Sequence, residues 1–402
     1  MNILLEAYVD RNFGDDLMLE LLVRRYPEIN FWTFGYGDLA YNDQPPYAGW
    51  ENFYLIGRYA WAELLACFDG YLGLGGSMWQ DYGRKDAFMI RDHTTRRMRE
   101  SGRPCLMIGN NIGPVTTPEG EALFVDLLER LDDITLRDQA SLEWIKSRSQ
   151  KVSARLAADP VLLYPLPSCS RSANLVGISV NNNPKAPDRN EPYAESIARL
   201  VEQLLFAGLR VRLFGFDSGA ENDAVIIARI LERLPAGQAR KVERCVYTGD
   251  LAGFLAAFGE CEHIFASRFH ALILALHFGI PFTPFAYLNK TTDLLNDIGY
   301  RGPLFTYANL ANGVEEAVAH IRGGQAVYDL NLLAAMKTRA EQNFAQSDRL
   351  LQGQPGELRP MIFQLLRRFE ANRQAYQELD ALKNSFSWRV TRPLRWLASK
   401  AR

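Results

Sequence analysis

Short apolar runs alternate along this chain with longer stretches in which apolar residues recur at helical spacing. Asn2–Val9 is a run of the first kind and predicts a strand. Asp15–Arg25, with Leu17, Leu21 and Leu22 on one face, predicts a helix. Ile29–Phe34, Gly70–Leu74, Cys105–Ile108 and Ile134–Leu136 predict further strands, and Lys85–Glu100 and Glu119–Leu131 predict helices. The alternation stops at Asp159–Ser172, which holds three prolines and little periodicity, so a linker is expected near Leu166–Ser172. It then restarts with strands at Leu175–Val180, Arg210–Phe214, Lys241–Tyr247 and His263–Ala266. Helices are expected at Glu191–Ala207, Asp223–Leu234, Leu251–Phe258 and Ala271–Phe278. Two successive blocks of this kind predict an α/β protein with two Rossmann-like, doubly wound domains, each a mostly parallel sheet covered on both faces. Ligands of such folds bind beyond the carboxyl ends of the strands, here in the cleft between the blocks.

From Ala326 onward the pattern is helical, with Leu330–Phe344 and Gly356–Leu382 as candidate helices. The expected organisation is an N-terminal domain over 1–165, a donor-binding domain over 173–325, C-terminal helices over 326–381 and a tail over 382–402. The tail carries six basic residues, no acidic ones, and Phe386, Trp388, Leu394, Trp396 and Leu397. Such a stretch suits an anionic membrane surface. The structural alternative is a disordered or self-packed tail.

Composition narrows the class. A chain of 402 residues exceeds one ordinary core. With 48% apolar and 23% charged residues it reads as soluble and globular, and a net charge of -2 gives no reason to expect nucleic acid as a partner. Glu6 interrupts the first apolar run and no basic segment precedes it, so the N-terminus reads as a strand and not as a signal peptide. No apolar run approaches the roughly 18–20 residues of a membrane span. Cys67, Cys105, Cys169, Cys245 and Cys261 are scattered singly, which suggests neither a disulfide framework nor a zinc site. A cytoplasmic location, peripheral at the inner face of the membrane through the tail, is the expectation.

The segment Phe265-Ala266-Ser267-Arg268-Phe269-His270 runs from a strand into a helix. Ser267 is the expected N-cap, and unpaired backbone N–H groups there favour an anion. Arg268 offers a planar fork of donors to phosphate or carboxylate, and His270 offers proton transfer beside it. The structural alternative has Arg268 capping a carboxylate and His270 as a core histidine, as expected for His263 and His277. Lys290 closes Phe285-Ala286-Tyr287-Leu288-Asn289-Lys290 at the same sheet edge, where it neutralises an anion or opens the next helix in solvent. Asn12-Phe13-Gly14-Asp15 and Gly73-Leu74-Gly75-Gly76-Ser77-Met78-Trp79-Gln80-Asp81 also follow strands, and Gly75 and Gly76 permit close backbone approach. Arg137 ends a strand in front of a helix, where a cation opposes the helix dipole and an anionic ligand would account for it. Asp132-Asp133 precedes a strand and is expected to face solvent. No elbow, phosphate loop or metal constellation is present in the sequence.

Together these segments resemble the polysaccharide pyruvyl transferase family. The resemblance rests on Asn12-x-Gly14-Asp15, the Gly73–Asp81 loop, Arg137-Asp138-x-x-Ser141 and Ala157-Ala158-Asp159-Pro160. It rests most on Ser267-Arg268-Phe269-His270-Ala271, followed by Gly279-Ile280-Pro281 and Tyr287-x-x-Lys290. The family places leucine where Phe269 stands, a further glycine where Leu74 stands, and often an arginine after the strand that here ends in Asn181-Asn182-Asn183.

The resemblance implies a fold like the B-type glycosyltransferases, phosphoenolpyruvate as co-substrate with no other cofactor, and a sugar diol on a lipid-linked or nucleotide-linked glycan as acceptor. It implies a transferase that joins the pyruvate group to the sugar as a cyclic ketal and releases phosphate. Arg137, Arg268 and Lys290 would hold the donor and His270 would be the acid or base. Its place among cations should depress its pKa and favour the basic role. Ser267, Gly75, Gly76, Ser77, Asn12, Asp15, Gln80 and Asn181 complete the expected substrate-binding set. Two alternatives stay open at this point: a nucleotide-sugar glycosyltransferase, and a non-catalytic membrane-associated assembly partner.

Overall fold

The computed structural model describes residues 1–34, 53–56, 64–81, 85–184, 186–324 and 327–351, with isolated positions at 362, 364, 365 and 367. The tail Leu382–Arg402 and nearly all of Gly356–Leu382 lie outside the described residues.

Twelve described strands form two parallel sheets. The first comprises β1 (Asn2–Glu6), β2 (Asn30–Phe34), β3 (Phe53–Ile56), β4 (Gly70–Leu74), β5 (Cys105–Asn110), β6 (Asp133–Leu136) and β7 (Ala154–Leu156), in the order β3-β2-β1-β4-β5-β6-β7. The second comprises β8 (Leu175–Val180), β9 (Arg210–Gly215), β10 (Glu243–Val246), β11 (His263–Ala266) and β12 (Phe282–Pro284), in the order β10-β9-β8-β11-β12. All six residues of β5 and all six of β8 are buried, as expected of strands covered by helices on both faces.

The short edge strands β3 and β7 escape prediction from periodicity. The helix predicted over Leu330–Phe344 divides into Leu330–Ala340, a single 3₁₀ turn at Glu341–Asn343, and a new helix at Ala345–Leu351. This break turns Asn343 inward, where its amide donates to the Ala158 carbonyl and accepts from the Thr135 hydroxyl, both at 2.8 Å. With Arg25 held by Asp348 at 2.7 Å, the last helices strap back onto the first lobe. Asp133 is not the solvent-facing residue expected: it is 5% exposed and its carboxylate holds Arg155.

The lobes meet through the helix Phe13–Arg25. Asn12 bridges to Asp217 of the second lobe, and the Phe13 N–H donates to the Phe216 carbonyl at 2.8 Å. The Phe13 ring is fully buried in the second lobe's aromatic nest, with Phe216, Tyr247 and Phe254 centroids at 5.5, 5.2 and 4.4 Å. Each such aromatic pair contributes about 0.5–1.5 kcal/mol beyond its buried area.

Candidate active site

Both sheets reverse their winding once, and the reversals face each other. In the first sheet β1 and β4 are neighbours although β2 and β3 intervene in sequence. In the second, β8 and β11 are neighbours. A crevice opens beyond the carboxyl ends of strands at such switch points. The polar segments after β1, β4 and β11 therefore converge for a topological reason, although they lie far apart in the chain.

The helix Phe269–Phe278 follows β11, and its N-cap is Arg268 in an extended conformation with no side-chain cap. Ser267 is therefore not the cap predicted for it. Its hydroxyl is buried and accepts from Tyr193 Oη at 2.7 Å. His270 sits in the first turn, with 12% of its side chain exposed. Its ring lies against the Gly14 backbone of the other lobe: a Cβ on Gly14 would fall 1.8 Å from Nδ1. Nε2 is 3.7 Å from Asp159 Oδ2, too long for a hydrogen bond, and has no other partner among the described residues. Burial, opposed by Asp159 and reinforced by Arg137, Lys290 and Arg268, lowers the His270 pKa to about 4. The depression foreseen from neighbouring cations is thus present, but desolvation is its main cause.

Arg137 follows β6 and is 4% exposed. Nη1 donates to Asp159 Oδ2 at 3.0 Å, and Nη2 donates to Asn111 Oδ1 at 2.5 Å and to Ser77 Oγ at 3.3 Å. Its guanidinium also lies 4.4 Å from the centroid of the Phe269 ring. Lys290 Nζ lies 5.4 Å from the same centroid. Phe269 is thus a shared platform for two cations contributed by different lobes. Nζ makes no hydrogen bond or ion pair with a described residue, and burial, reinforced by Arg137, lowers its pKa to about 8.

Asp15 enters this group from the helix Phe13–Arg25. Burial and the adjacent Asp16 raise its pKa to about 7, against the pull of Lys290 and Arg137. Gly75 and Gly76 both adopt positive φ, at 55° and 70°, which turns the loop after β4 tightly. A Cβ on Gly76 would lie 3.5 Å from Asp15 Oδ1, so the loop backs onto this carboxyl.

Three of the predicted binding residues are engaged elsewhere in the fold, and a fourth is sealed from solvent. Arg268 is 7% exposed, and its three guanidinium nitrogens are engaged by Asp223, Glu221 and the Val180 carbonyl. Its charge also contributes to the field that lowers the His270 pKa. Asn12 caps its own helix through Gly14 N–H at 3.1 Å and donates to Asp217 Oδ2 at 3.2 Å, so its amide joins the lobes. Asn181 is 1% exposed, with both amide atoms sealed from solvent. Ser267 is likewise occupied. Gln80 is half-buried, and no hydrogen bond or ion pair links it to the His270 group among the described residues.

Asp159, Asn111 and Phe269 are the residues that sequence reasoning left without a role. Asp159 stands in the Ala157–Pro160 segment and was legible as a motif. Asn111 had no signal of its own.

The arrangement can bind a small anion between Lys290 and Arg137, and can move protons at His270 and Asp15. Among the described residues no group of acidic, histidine or cysteine side chains could hold a metal ion.

The sequence model of the family described as polysaccharide pyruvyl transferase matches residues 12–289. No curated protein matches the sequence significantly. Among solved structures, Anabaena HepE in complex with UDP and glucose is similar at a TM-score of 0.55 and 11% identity, covering 88% of this chain and 100% of its own. UDP-GlcNAc 2-epimerase from Neisseria meningitidis, bound to UDP-GlcNAc, gives 0.55 at 10% identity, with 88% and 100% covered. A putative UDP-N-acetylglucosamine 2-epimerase from Listeria monocytogenes gives 0.54 at 9% identity, with 89% and 99% covered. At these identities the likeness shows the two-lobed B-type glycosyltransferase fold and nothing more about chemistry.

Proposed function

The chain belongs to the polysaccharide pyruvyl transferase family, and from that premise we propose that it transfers the pyruvate group of phosphoenolpyruvate to a sugar diol as a cyclic ketal. One observation carries this reading. Lys290, an ammonium without a counter-charge in contact, and the Arg137 guanidinium flank Phe269, the residue beside His270, whose Nε2 has no hydrogen-bond partner among the described residues. A compact donor with a carboxylate and a phosphate suits that spacing of charges.

Phosphoenolpyruvate becomes electrophilic at its central carbon when its methylene is protonated. A sugar hydroxyl then adds, phosphate leaves and a neighbouring hydroxyl closes the ring. His270, neutral above a pKa of about 4, suits the base that takes the proton of the attacking hydroxyl. Lys290 and Arg137 would stabilise the charge that gathers on the departing phosphate.

The nucleotide-sugar alternative draws on the neighbours that bind UDP or UDP-GlcNAc. An open pocket of about 420 Å³ has Tyr287 and Tyr307 for walls, but its lining of Arg189, Ala286, Tyr287, Thr306, Tyr307 and Ala308 supplies no carboxylate for a ribose. The phosphoenolpyruvate reading rests instead on Lys290 and Arg137 on the Phe269 ring next to His270. The test is phosphate release from phosphoenolpyruvate with a pool of lipid-linked oligosaccharides, beside thermal shifts with phosphoenolpyruvate and with UDP-sugars. Stabilisation by UDP-sugars alone, without phosphate release, would overturn it.

No helix among the described residues is long and apolar enough to cross a membrane. The basic, tryptophan-bearing stretch Leu382–Arg402 supports contact with the surface that carries lipid-linked acceptors. Sedimentation with anionic vesicles, lost when 382–402 is deleted, is the expected result. Equal sedimentation of the truncated chain would refute that contact.

A further inference from the structure

The transfer proposed above moves protons in two senses. One must reach the methylene carbon of the donor, and one must leave the attacking hydroxyl. His270 suits the second task. We propose that Asp15 performs the first, as the catalytic acid that protonates the methylene carbon. The inference rests on the transfer reading and adds a second catalytic residue to it.

The placement is geometric. Asp15 directly follows Gly14, whose α-carbon touches the His270 ring across the lobes. The Asp15 carboxyl faces the loop after β4, where a Cβ on Gly76 would lie 3.5 Å from Oδ1, and it lies within the fields of Lys290 and Arg137, the cations proposed to hold the donor. The first turn of the Phe13–Arg25 helix is capped by Asn12, which leaves the Asp15 carboxyl no capping task. That carboxyl makes no hydrogen bond or ion pair with a described residue. The other carboxylates of the cleft and the lobe interface are committed. Asp159 accepts from Arg137 and the Val161 N–H. Glu221 and Asp223 hold Arg268. Asp16 accepts from Tyr247 Oη at 2.8 Å. Asp217 accepts from the N–H groups of Gly219, Glu221 and Asn222.

The charges that face Asp15 are Lys290 and Arg137, which favour its ionised form, and Asp16 and Asp217, which oppose it. Burial leaves the balance near neutrality. A bound donor adds negative charge beside the carboxyl and drives it further toward the protonated form. Asp15 therefore carries a proton into the complex when the donor binds, and Lys290 with Arg137 supplies the attraction.

The protons balance. Asp15 gives its proton to the methylene, which becomes the methyl group, while the carbon–carbon π electrons form the new C–H bond. The first hydroxyl oxygen bonds to the electron-poor central carbon and passes its proton to His270. The C–O bond to phosphate breaks, and protonated His270 gives that proton to the departing phosphate. The second hydroxyl closes the ketal, and its proton restores Asp15.

Lys290 is the competing acid, since its ammonium also loses a proton near neutrality. The test uses the full-length chain and follows phosphate release from phosphoenolpyruvate with lipid-linked oligosaccharide. The wild type, Asp15→Asn, Asp15→Glu and Lys290→Met are compared from pH 5 to 9. Asp15→Asn is expected to lower kcat by about 10²–10⁴-fold, in line with the loss of a general acid, with a much smaller change in KM for the donor. The wild-type rate is expected to fall as pH rises through Asp15's titration, and the residual rate of Asp15→Asn to lack that fall. Asp15→Glu is expected to recover part of the rate. The assignment of Asp15 is overturned if Asp15→Asn keeps kcat within tenfold and the same alkaline fall, or if Lys290→Met alone removes the fall. An active Asp15→Asn refutes the acid and spares the transfer reading, whereas a wild type that releases no phosphate refutes both.

Discussion

Gly14 and His270 touch across the two lobes, and the absence of a side chain on the first is what admits the ring of the second. A methyl at this position would lie 1.8 Å from Nδ1, inside any van der Waals contact, so Gly14→Ala must displace the imidazole or part the lobes. A displacement of about 1 Å in a positioned group can cost about 10²-fold in rate. Gly14→Ala is expected to lower kcat for phosphate release by at least that factor. Circular dichroism and the unfolding midpoint should show that the fold survives, because Gly14 is helical and alanine favours a helix.

Lys290→Met separates function from stability in opposite directions. The folded pKa of Lys290 is lowered from 10.5 to about 8, so below about 8 the folded protein bears a charge that it accommodates less well than the unfolded chain. The sign follows from linkage: stability rises with pH between about 8 and 10.5, where the unfolded chain binds more protons. Lys290→Met is therefore expected to raise Tm at pH 7, with the gain shrinking as pH approaches 10. Donor KM is expected to rise by roughly 10- to 100-fold, from the ~1.5–3 kcal/mol of a hydrogen bond to a charged group. A variant that is less stable at pH 7, with KM unchanged, would make Lys290 a structural residue.

Much of this was legible in the sequence, and the rest failed for identifiable reasons. Strand–helix alternation gives two parallel sheets because buried parallel strands read as continuous apolar runs, as β5 and β8 do. Convergence of Arg137, His270 and Lys290 follows from their common position after strand ends. Sequence reasoning could not say which cations were already neutralised. Both arginines are paired: Arg137 meets one carboxylate, Asp159, whereas Arg268 meets two, Glu221 and Asp223, the latter 45 residues away in sequence. Asn12 and Asn181 show the same ambiguity: a polar residue after a strand can point into the cleft, into the partner lobe as Asn12 does, or into the core as Asn181 does. In the sequence Phe269 is part of a motif, and its contact with two cations exists only where the lobes come together.

Arg268 is expected to act on stability first. Its guanidinium is buried against Asp223, which is itself fully buried. Breaking a buried pair by removing one partner typically costs about 3–5 kcal/mol, because the other charge stays behind unpaired. Arg268→Ala should lower the urea midpoint by an amount of that order at unchanged m-value. Arg268→Lys, which keeps the charge and loses the fork, should fall between. A fully stable Arg268→Ala with a raised donor KM would return Arg268 to the donor-binding set.

Phe269 occupies the position where the family motif has leucine, and the substitution of ring for branch changes what the two cations rest upon. Arg137 and Lys290 lie 4.4 and 5.4 Å from its centroid. A cation over an aromatic face gains about 0.5–1 kcal/mol when exposed and about 2 kcal/mol or more when desolvated. Leucine preserves the apolar bulk but not the quadrupole, so Phe269→Leu tests the electrostatic part alone. The expected result is a donor KM raised about three- to thirtyfold, the equivalent of ~0.7–2 kcal/mol, with kcat little changed because His270 keeps its backbone position. Phe269→Tyr should restore affinity, since its ring presents a comparable face. If Phe269→Leu leaves KM at the wild-type value, the two cations are held by Asp159, Asn111 and the surrounding field, and the ring serves only as packing.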